Sequence, residues 1–323
     1  MKRFWSWWVA LLSREERGTV LALFRLAVGT VITVTLLEAA YSGVLDYIWV
    51  GHAYGGIGEP ATGFFVLDWL GGPRPEVVQP LFAVAVLSAL GMTAGLGGRW
   101  MILLAVVTYR SLSSIGHIAG GYDRMITNAG WLLVLGQATM TLSLDCRIRN
   151  KTWQSQTLIG AWPRFLAIGQ LVLVYTATGV QKTSVSWSSD EGYSALFFFL
   201  QDPTWIRFDL GWMAHVYPLS QLATLGVWYF ESFAVLLLVI LYLRDTAERP
   251  GRLRRYANHF DLRKPWALFG IGMHLVIASL MNMGPFSWIS LSYYICLVHP
   301  EELHEWFTRV TAKLPRSPSF SRA

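Results

Sequence analysis

Several runs of eighteen or more residues contain no charged side chain, and this feature restricts the chain to very few folds. A helix rises about 1.5 Å per residue, so each run is long enough to cross a hydrocarbon core of about 30 Å. The composition agrees, because 54% of the residues are hydrophobic and only 14% are charged. We therefore predict an all-α fold, a polytopic transmembrane helical bundle, rather than two soluble domains.

The apolar runs define about eight candidate spans. They cover residues 18–38, 77–96, 100–118, 128–144, 162–181, 219–243, 264–283 and 286–299. The eighth span holds only 14 residues, so it is either a short tilted helix or a re-entrant turn that follows Gly284 and Pro285.

The distribution of basic residues predicts the orientation of the bundle. If the N-terminus is cytoplasmic, 20 of the 26 lysines and arginines fall in inner segments. The outer loops retain Arg74, Arg124, Lys182 and Arg207. This bias follows the positive-inside rule and predicts a multi-pass protein of the cell (inner or plasma) membrane with both termini cytoplasmic. It also accounts for the net charge of +6 without a nucleic-acid partner.

The chain divides into three predicted regions. Residues 1–17 are rich in tryptophan and flanking cations, as is typical of an amphipathic segment that lies in the membrane interface. Residues 18–300 form the transmembrane domain, and residues 301–323 form a cytoplasmic tail that we expect to be partly disordered.

Four ionisable residues fall inside predicted spans, where a charge needs a partner or a cavity. Arg110, Glu231 and His274 lie at similar predicted depths, and Arg25 lies about 10 Å inside the first span. One interpretation is a structural ion pair between Arg110 and Glu231 that holds helices together. The other is a buried polar cluster that serves as a proton path or a ligand site.

A second group of polar and aromatic residues falls at the predicted outer ends of the spans. Its members are Lys182, His117, Tyr122, Asn128, Trp187 and Tyr193. Removing water from a lysine disfavours its ammonium form and makes the amine a usable base. The alternative is an interfacial anchor whose amine extends into water. No HExxH or Cys-x-x-Cys motif is present, so we predict no metal site.

The segment TGVQK at 178–182, with Trp187 five residues later and GYS at 192–194, resembles the membrane domain of vitamin K-dependent gamma-carboxylase. That family and its bacterial relatives are grouped as the horizontally transferred transmembrane (HTTM) domain.

The resemblance extends over about residues 18–300. GMH at 272–274 and MGPF at 283–286 resemble the late histidine-containing helix of the family and its Gly-x-Phe turn. Arg25 and Glu231 also match positions that recur in the family.

The resemblance implies a function for these residues. Lys182 would deprotonate a reduced quinone, either reduced vitamin K or menaquinol, and oxygen would convert the quinol to an epoxide. A strongly basic oxygenated intermediate of this reaction would then remove a gamma proton from a glutamate. Carbon dioxide would add to the resulting carbanion. Trp187, Tyr193, Asn128 and Tyr122 are expected to bind the quinol. The expected partners are membrane lipids, the quinone and a peptide or protein substrate.

The sequence departs from the carboxylase pattern at two places. The carboxylases carry a large lumenal C-terminal domain, whereas this chain ends at residue 323. They also have Asn-His near the start of the fourth helix, where this sequence has Asn128 and Ala129. The helper histidine is therefore either missing or replaced by another residue, such as His117. Two other functions remain open: a non-enzymatic lipid- or quinone-binding module, and a small-solute transporter that uses Arg110, Glu231 and His274.

Overall fold

The computed structural model describes residues 2–59, 65–115 and 120–313 and is mostly helical. This confirms the prediction of a helical bundle. A small antiparallel sheet, in which β1 (Glu15–Arg17) pairs with β2 (Leu158–Gly160), was not predicted. It fastens the N-terminal segment to the chain that precedes the fifth predicted span.

The helices follow one another along the chain in this order. The first eight are α1 (Lys2–Leu12), α2 (Thr19–Tyr41), α3 (Leu45–Trp49), α4 (Phe65–Trp69), α5 (Pro75–Ala94), α6 (Gly98–Ser113), α7 (Gly121–Leu135) and α8 (Leu144–Asn150). The next eight are α9 (Trp162–Gln181), α10 (Ala195–Phe199), α11 (Tyr217–Ser232), α12 (Leu236–Asp245), α13 (Arg252–His259), α14 (Arg263–Leu280), α15 (Phe286–Tyr294) and α16 (Pro300–Lys313).

Within the described residues, three helices are long and apolar enough to cross a membrane. They are α2, α5 and α9, and they coincide with the first, second and fifth predicted spans. A fourth span exists if α11 and α12 are counted together, although the two helices meet at an angle of 58°. The count of eight spans is therefore not confirmed, and the orientation of the termini stays a prediction.

Helix ends differ most from the prediction around the fourth span. The apolar composition predicts a helix over 128–144, but α7 begins at Gly121 and ends at Leu135. Its start is stabilised by the carboxylate of Asp123, which accepts a hydrogen bond from the backbone nitrogen of Gly120 at 2.7 Å. A span-sized apolar run thus contains both a helix and an irregular segment, because apolarity alone does not say where a helix is capped.

The break between α11 and α12 follows directly after Glu231 and Ser232. The nitrogens of Leu236 and Leu237 donate to the carbonyls three residues earlier, at 2.9 and 3.0 Å. Such bonds tighten the chain locally and interrupt the regular ladder. The break ends α11 close to the carboxylate of Glu231.

Arg25 is fully buried and binds backbone carbonyls rather than an acid. Its guanidinium donates to the oxygens of Met92 (2.8 Å), Thr93 (3.1 Å) and Leu142 (2.6 Å). Met92 and Thr93 lie in the last turn of α5, where the helix dipole favours a cation. Arg25 therefore joins α2 to the end of α5.

Ion pairs connect the N-terminal segment and α16 to the bundle at the end that the loop charges place inside. Arg164 binds both carboxylate oxygens of Glu16, with two contacts of 2.7 Å. Arg263 binds Glu302 at 2.8 Å and Asp261 at 3.0 Å. We call these five residues the inner clasp. The predicted tail at 301–323 therefore begins as a docked helix, and its residues 314–323 lie outside the described part.

Substitution of Gly95 should test the Arg25 contact. Gly95 has φ +71°, and an added Cβ would lie 2.1 Å from a terminal nitrogen of Arg25. Gly43 has a similar φ of +68° but nothing within 4 Å, so it is a matched control. We expect Gly43→Ala to lower the free energy of unfolding by about 1 kcal/mol and Gly95→Ala by about 3 kcal/mol. Equilibrium unfolding in mixed detergent micelles measures both, and equal losses would contradict the assigned role of Arg25.

The inner clasp should make stability depend on acidity. Burial alone would raise the pKa of Asp261 and Glu302, but their hydrogen bonds with arginines, chiefly Arg263, lower both pKa values to about 2, from 3.8 and 4.5. A carboxyl with a lowered folded-state pKa stabilises the fold above its unfolded pKa, and this contribution is lost on acidification.

We therefore expect the free energy of unfolding to fall between about pH 5 and about pH 2. The double variant Asp261→Asn/Glu302→Gln should show a shallower decline over the same range. Unfolding measured at constant ionic strength tests this, and identical profiles for the two proteins would exclude the assigned ion pairs.

Candidate functional site

The amine of Lys182 is paired with a carboxylate instead of extending into solvent. Lys182 follows the last residue of α9, and its Nζ forms an ion pair with Glu231 near the end of α11. The two side chains are only 17% and 11% exposed. The indole ring of Trp187 lies 4.9 Å from the same nitrogen, so the ammonium also makes a cation–π contact. The structure thus brings three sequence-predicted residues together.

The pair forms because the backbones of α9 and α11 touch at one point. Gly179 faces this contact, and a Cβ there would lie 2.3 Å from the nitrogen of Ser232 and 2.6 Å from the carbonyl carbon of Glu231. The hydroxyl of the preceding residue, Thr178, donates to the Glu231 carboxylate at 3.0 Å. The absence of a side chain at Gly179 therefore places the carboxylate against the end of α9.

The segment after Lys182 folds back over the pair. Two short 3₁₀ turns, Val185–Trp187 and Ser189–Glu191, carry the chain to Gly192. The carbonyl of Gly192 accepts a hydrogen bond of 2.6 Å from Gln221 on α11. Tyr193 follows in this loop, half-buried and with φ +56°.

A buried group of three aromatic side chains lies deeper along α9. The hydroxyl of Tyr175, seven residues before Lys182, is 2.6 Å from Nε2 of His274 and 2.8 Å from the hydroxyl of Tyr294. His274 is fully buried. Its Nδ1 has no hydrogen-bond partner within the described ranges. Gly270 leaves room for the Tyr294 hydroxyl, because a Cβ there would lie 1.8 Å from it.

Thr178 links the two groups, because its hydroxyl lies 3.0 Å from the Glu231 carboxylate and 3.0 Å from the backbone carbonyl of Tyr175. We call the whole set the polar column. Its members are Lys182, Glu231, Thr178, Tyr175, Tyr294 and His274. The column runs from the end of α9 into the interior of the bundle and is surrounded by the rings of Phe230, Trp266 and Phe286.

The predicted ion pair between Arg110 and Glu231 is wrong, because Glu231 pairs with Lys182. Arg110 donates to Ser113 at 3.3 Å, and its charge acts on Asp123. The depth estimates assumed that each span begins at the membrane edge. Glu231, however, is 14 residues, or about 21 Å, from the start of α11 and yet lies level with the end of α9. Residues 183–216 and the first part of α11 therefore extend beyond Lys182.

The remaining predicted residues lie elsewhere. Arg25 binds carbonyls at the end of α5, as described above. Asn128 is exposed, and Tyr122 lines a separate cavity of about 160 Å³ together with Tyr109 and Asp123. His117 lies outside the described residues. Neither Asn128 nor Tyr122 belongs to the polar column.

Sequence reasoning missed Thr178, Tyr175 and Tyr294. The spacing of seven between Tyr175 and Lys182 places them on one face of a helix, which is a signal that could have found Tyr175. Tyr294 gave no such signal, because it belongs to the short last span. Within the described ranges, no three histidine, cysteine, aspartate or glutamate side chains are grouped so that they could hold a metal ion.

The fold and the polar column define a helical membrane protein that holds a largely desolvated Lys–Glu pair. The sequence model of the HTTM domain matches residues 13–247, so the chain belongs to the HTTM domain family. The matched region includes Lys182 and Glu231 and ends before His274. No curated protein and no solved structure matches the chain.

Gly179 provides a test of the helix contact that creates the pair. Gly169 lies on the same helix with nothing within 4 Å of an added Cβ, so it is a matched control. We expect Gly179→Ala to lower the free energy of unfolding by about 3 kcal/mol, since the new methyl group meets backbone atoms and breaks the ion pair. Gly169→Ala should raise it by up to about 1 kcal/mol.

A second measurement distinguishes loss of the pair from general destabilisation. Acylation of the Lys182 amine by a water-soluble reagent, followed by mass spectrometry, should be faster in Gly179→Ala than in Gly169→Ala. Equal labelling rates would mean that the glycine contact does not set the burial of this amine.

Proposed function

We propose that the chain is a membrane enzyme that removes a proton from a lipid-soluble reduced quinone, with Lys182 as the base. The observation that carries this proposal is the ion pair of Lys182 with Glu231, held largely out of water beneath Trp187. An amine that serves as the base for a lipid-soluble substrate must be desolvated. It also needs a neighbouring group that accepts the proton of its ammonium form. The burial of Lys182 and the adjacent carboxylate of Glu231 support both requirements.

The chemistry follows from moving one proton within the pair. Lys182 as an ammonium beside Glu231 as a carboxylate is favoured when water is present. When an apolar ligand displaces that water, charge separation becomes expensive, and transfer of the proton to the carboxylate yields a neutral amine and a neutral acid. The amine then accepts the hydroxyl proton of the quinol, which leaves an ammonium and a quinolate as a new ion pair.

The buried half of the polar column supplies contacts for the ring oxygens. Tyr175 and Tyr294 form a hydrogen-bonded pair, and His274 ends the series with a ring nitrogen unpaired in the described structure. An unpaired buried polar atom is costly unless a ligand or water satisfies it. We propose that His274 Nδ1 binds a polar atom of the substrate.

Relationship to the vitamin K-dependent carboxylases suggests which reaction comes after deprotonation. We propose reduced vitamin K or menaquinol as the substrate, taken from the membrane, and oxygenation of the quinolate as the next reaction. Carboxylation of a peptide or protein glutamate belongs to the same proposal. The loop charges favour an outward-facing site in the cell membrane with cytoplasmic termini.

A non-enzymatic module that binds lipid or quinone is the second candidate. The observation that favours it is that Glu231 already neutralises the Lys182 charge, as a purely structural pair would do. The transporter hypothesis needed Arg110, Glu231 and His274 in one cluster, whereas Glu231 pairs with Lys182 and Arg110 donates to Ser113.

Turnover of reduced quinone tests the enzymatic proposal. We expect the purified protein to consume reduced menaquinone or reduced vitamin K faster in air than under nitrogen. Lys182→Ala should lower the rate by at least about 100-fold, because a positioned base contributes about 10²–10⁴. Lys264 is 72% exposed and makes a matched control, so Lys264→Ala should leave the rate unchanged.

Retention of a monodisperse elution profile confirms that each variant is folded. Equal turnover in Lys182→Ala and in the unaltered protein would exclude Lys182 as the base. Quinone binding without turnover in the unaltered protein would support the binding module instead.

A further inference from the structure

A groove of about 290 Å³ lies between α2 and the start of α15, and no member of the polar column lines it. Its α2 side consists of side chains at spacings of three and four residues, among them Thr30, Val34 and Glu38. Thr30 and Glu38 are eight residues apart, which corresponds to about 12 Å of helix. The groove therefore runs along α2 for at least half the thickness of one membrane leaflet. Its other side is formed by Arg207, Asn282, Gly284, Pro285 and Trp288.

Within the described structure, the side chain of Arg207 is bound through one nitrogen. Its Nε donates to the carbonyls of Ala278 (2.9 Å) and Met281 (3.0 Å) at the end of α14. Among the described residues, its two terminal nitrogens have no hydrogen-bond or ion-pair partner. Arg207 thus presents the paired N–H donors with which arginine binds a phosphate.

Glu38 lines the same groove, and its carboxylate makes no ion pair with any described residue. Two opposite charges therefore border one cavity without neutralising each other. Elsewhere in the described structure, arginines such as Arg164 and Arg263 are bound directly to acids. A ligand that carries both a phosphate and an ammonium would satisfy the two groups together.

The groove opens toward the surface that faces lipid. Val34 and Trp288 border it and are 54% and 51% exposed. An exposed valine on a membrane-spanning helix contacts acyl chains, and tryptophan is enriched where hydrocarbon meets headgroups. The ligand should therefore be an amphiphile with its polar end at Glu38 and Arg207 and its apolar chain along Val34.

We propose that this groove binds a zwitterionic phospholipid whose headgroup carries a primary ammonium. Its phosphate binds Arg207, and its ammonium donates hydrogen bonds to Glu38. A headgroup without an ammonium leaves Glu38 unpaired. A quaternary ammonium has no N–H to donate and therefore binds less well. The proposal does not depend on the function proposed for Lys182.

Thermal unfolding after delipidation tests the site. Protein washed extensively in detergent is titrated with phosphatidylethanolamine, phosphatidylcholine or phosphatidylglycerol that carry the same acyl chains. We expect phosphatidylethanolamine to raise Tm by about 5 °C and the other two lipids to raise it clearly less.

Charge variants assign the effect to the groove. Glu38→Gln and Arg207→Gln should each weaken phosphatidylethanolamine binding about tenfold, the effect of losing one charge-assisted contact. The exposed residues Glu76 and Arg124 provide the matched controls Glu76→Gln and Arg124→Gln, which should bind as the unaltered protein does. Glu38→Lys, which retains a long side chain, should shift the preference to phosphatidylglycerol.

Three results would overturn the proposal. Equal stabilisation by all three lipids would indicate a bulk effect of the bilayer. Preference of the unaltered protein for phosphatidylglycerol would assign the groove to anionic lipid through Arg207 alone. Displacement of phosphatidylethanolamine by reduced menaquinone, with loss of quinone binding in Glu38→Gln, would assign it to the quinol.

Discussion

The close approach of α9 and α11 at Gly179 is the constraint on which the candidate site depends. It places Glu231 against Lys182, so that two costly charges neutralise each other while both side chains are largely buried. A pair of this kind contributes little net stability, because desolvation offsets most of the attraction. The consequence that we propose is chemical instead: a ligand that changes the surrounding polarity moves the proton of the Lys182 ammonium to the Glu231 carboxylate.

Most other charges in the described structure stabilise the fold. Arg25 satisfies carbonyls at the end of α5, and the inner clasp fastens β1 and α16 to the bundle. The polar column differs because His274 retains an unpaired nitrogen, and the groove beside α2 differs because Glu38 and Arg207 are not paired with each other. A buried polar atom without a partner points to a ligand at His274, whereas the groove carries its proposal on two exposed opposite charges that border one cavity.

Prediction from sequence succeeded where one local property was sufficient. The spans at 18–38, 77–96 and 162–181 coincide with α2, α5 and α9 because a long apolar run has one stable outcome in lipid. It failed at 128–144 and 219–243, where caps and a helix break interrupt equally apolar chain. The depth comparison failed for a related reason, since α11 extends about 21 Å past the level of Lys182.

The sequence by itself determined that this chain is a helical membrane protein and that Lys182, followed by Trp187, is the residue of greatest chemical interest. Only the tertiary structure decided which carboxylate accompanies the amine. Lys182 and Glu231 are 49 positions apart, and Arg110 was an equally good partner for Glu231 by composition. Partner choice depends on a backbone contact between two helices, and such a contact is set by packing across the whole bundle rather than by any local pattern.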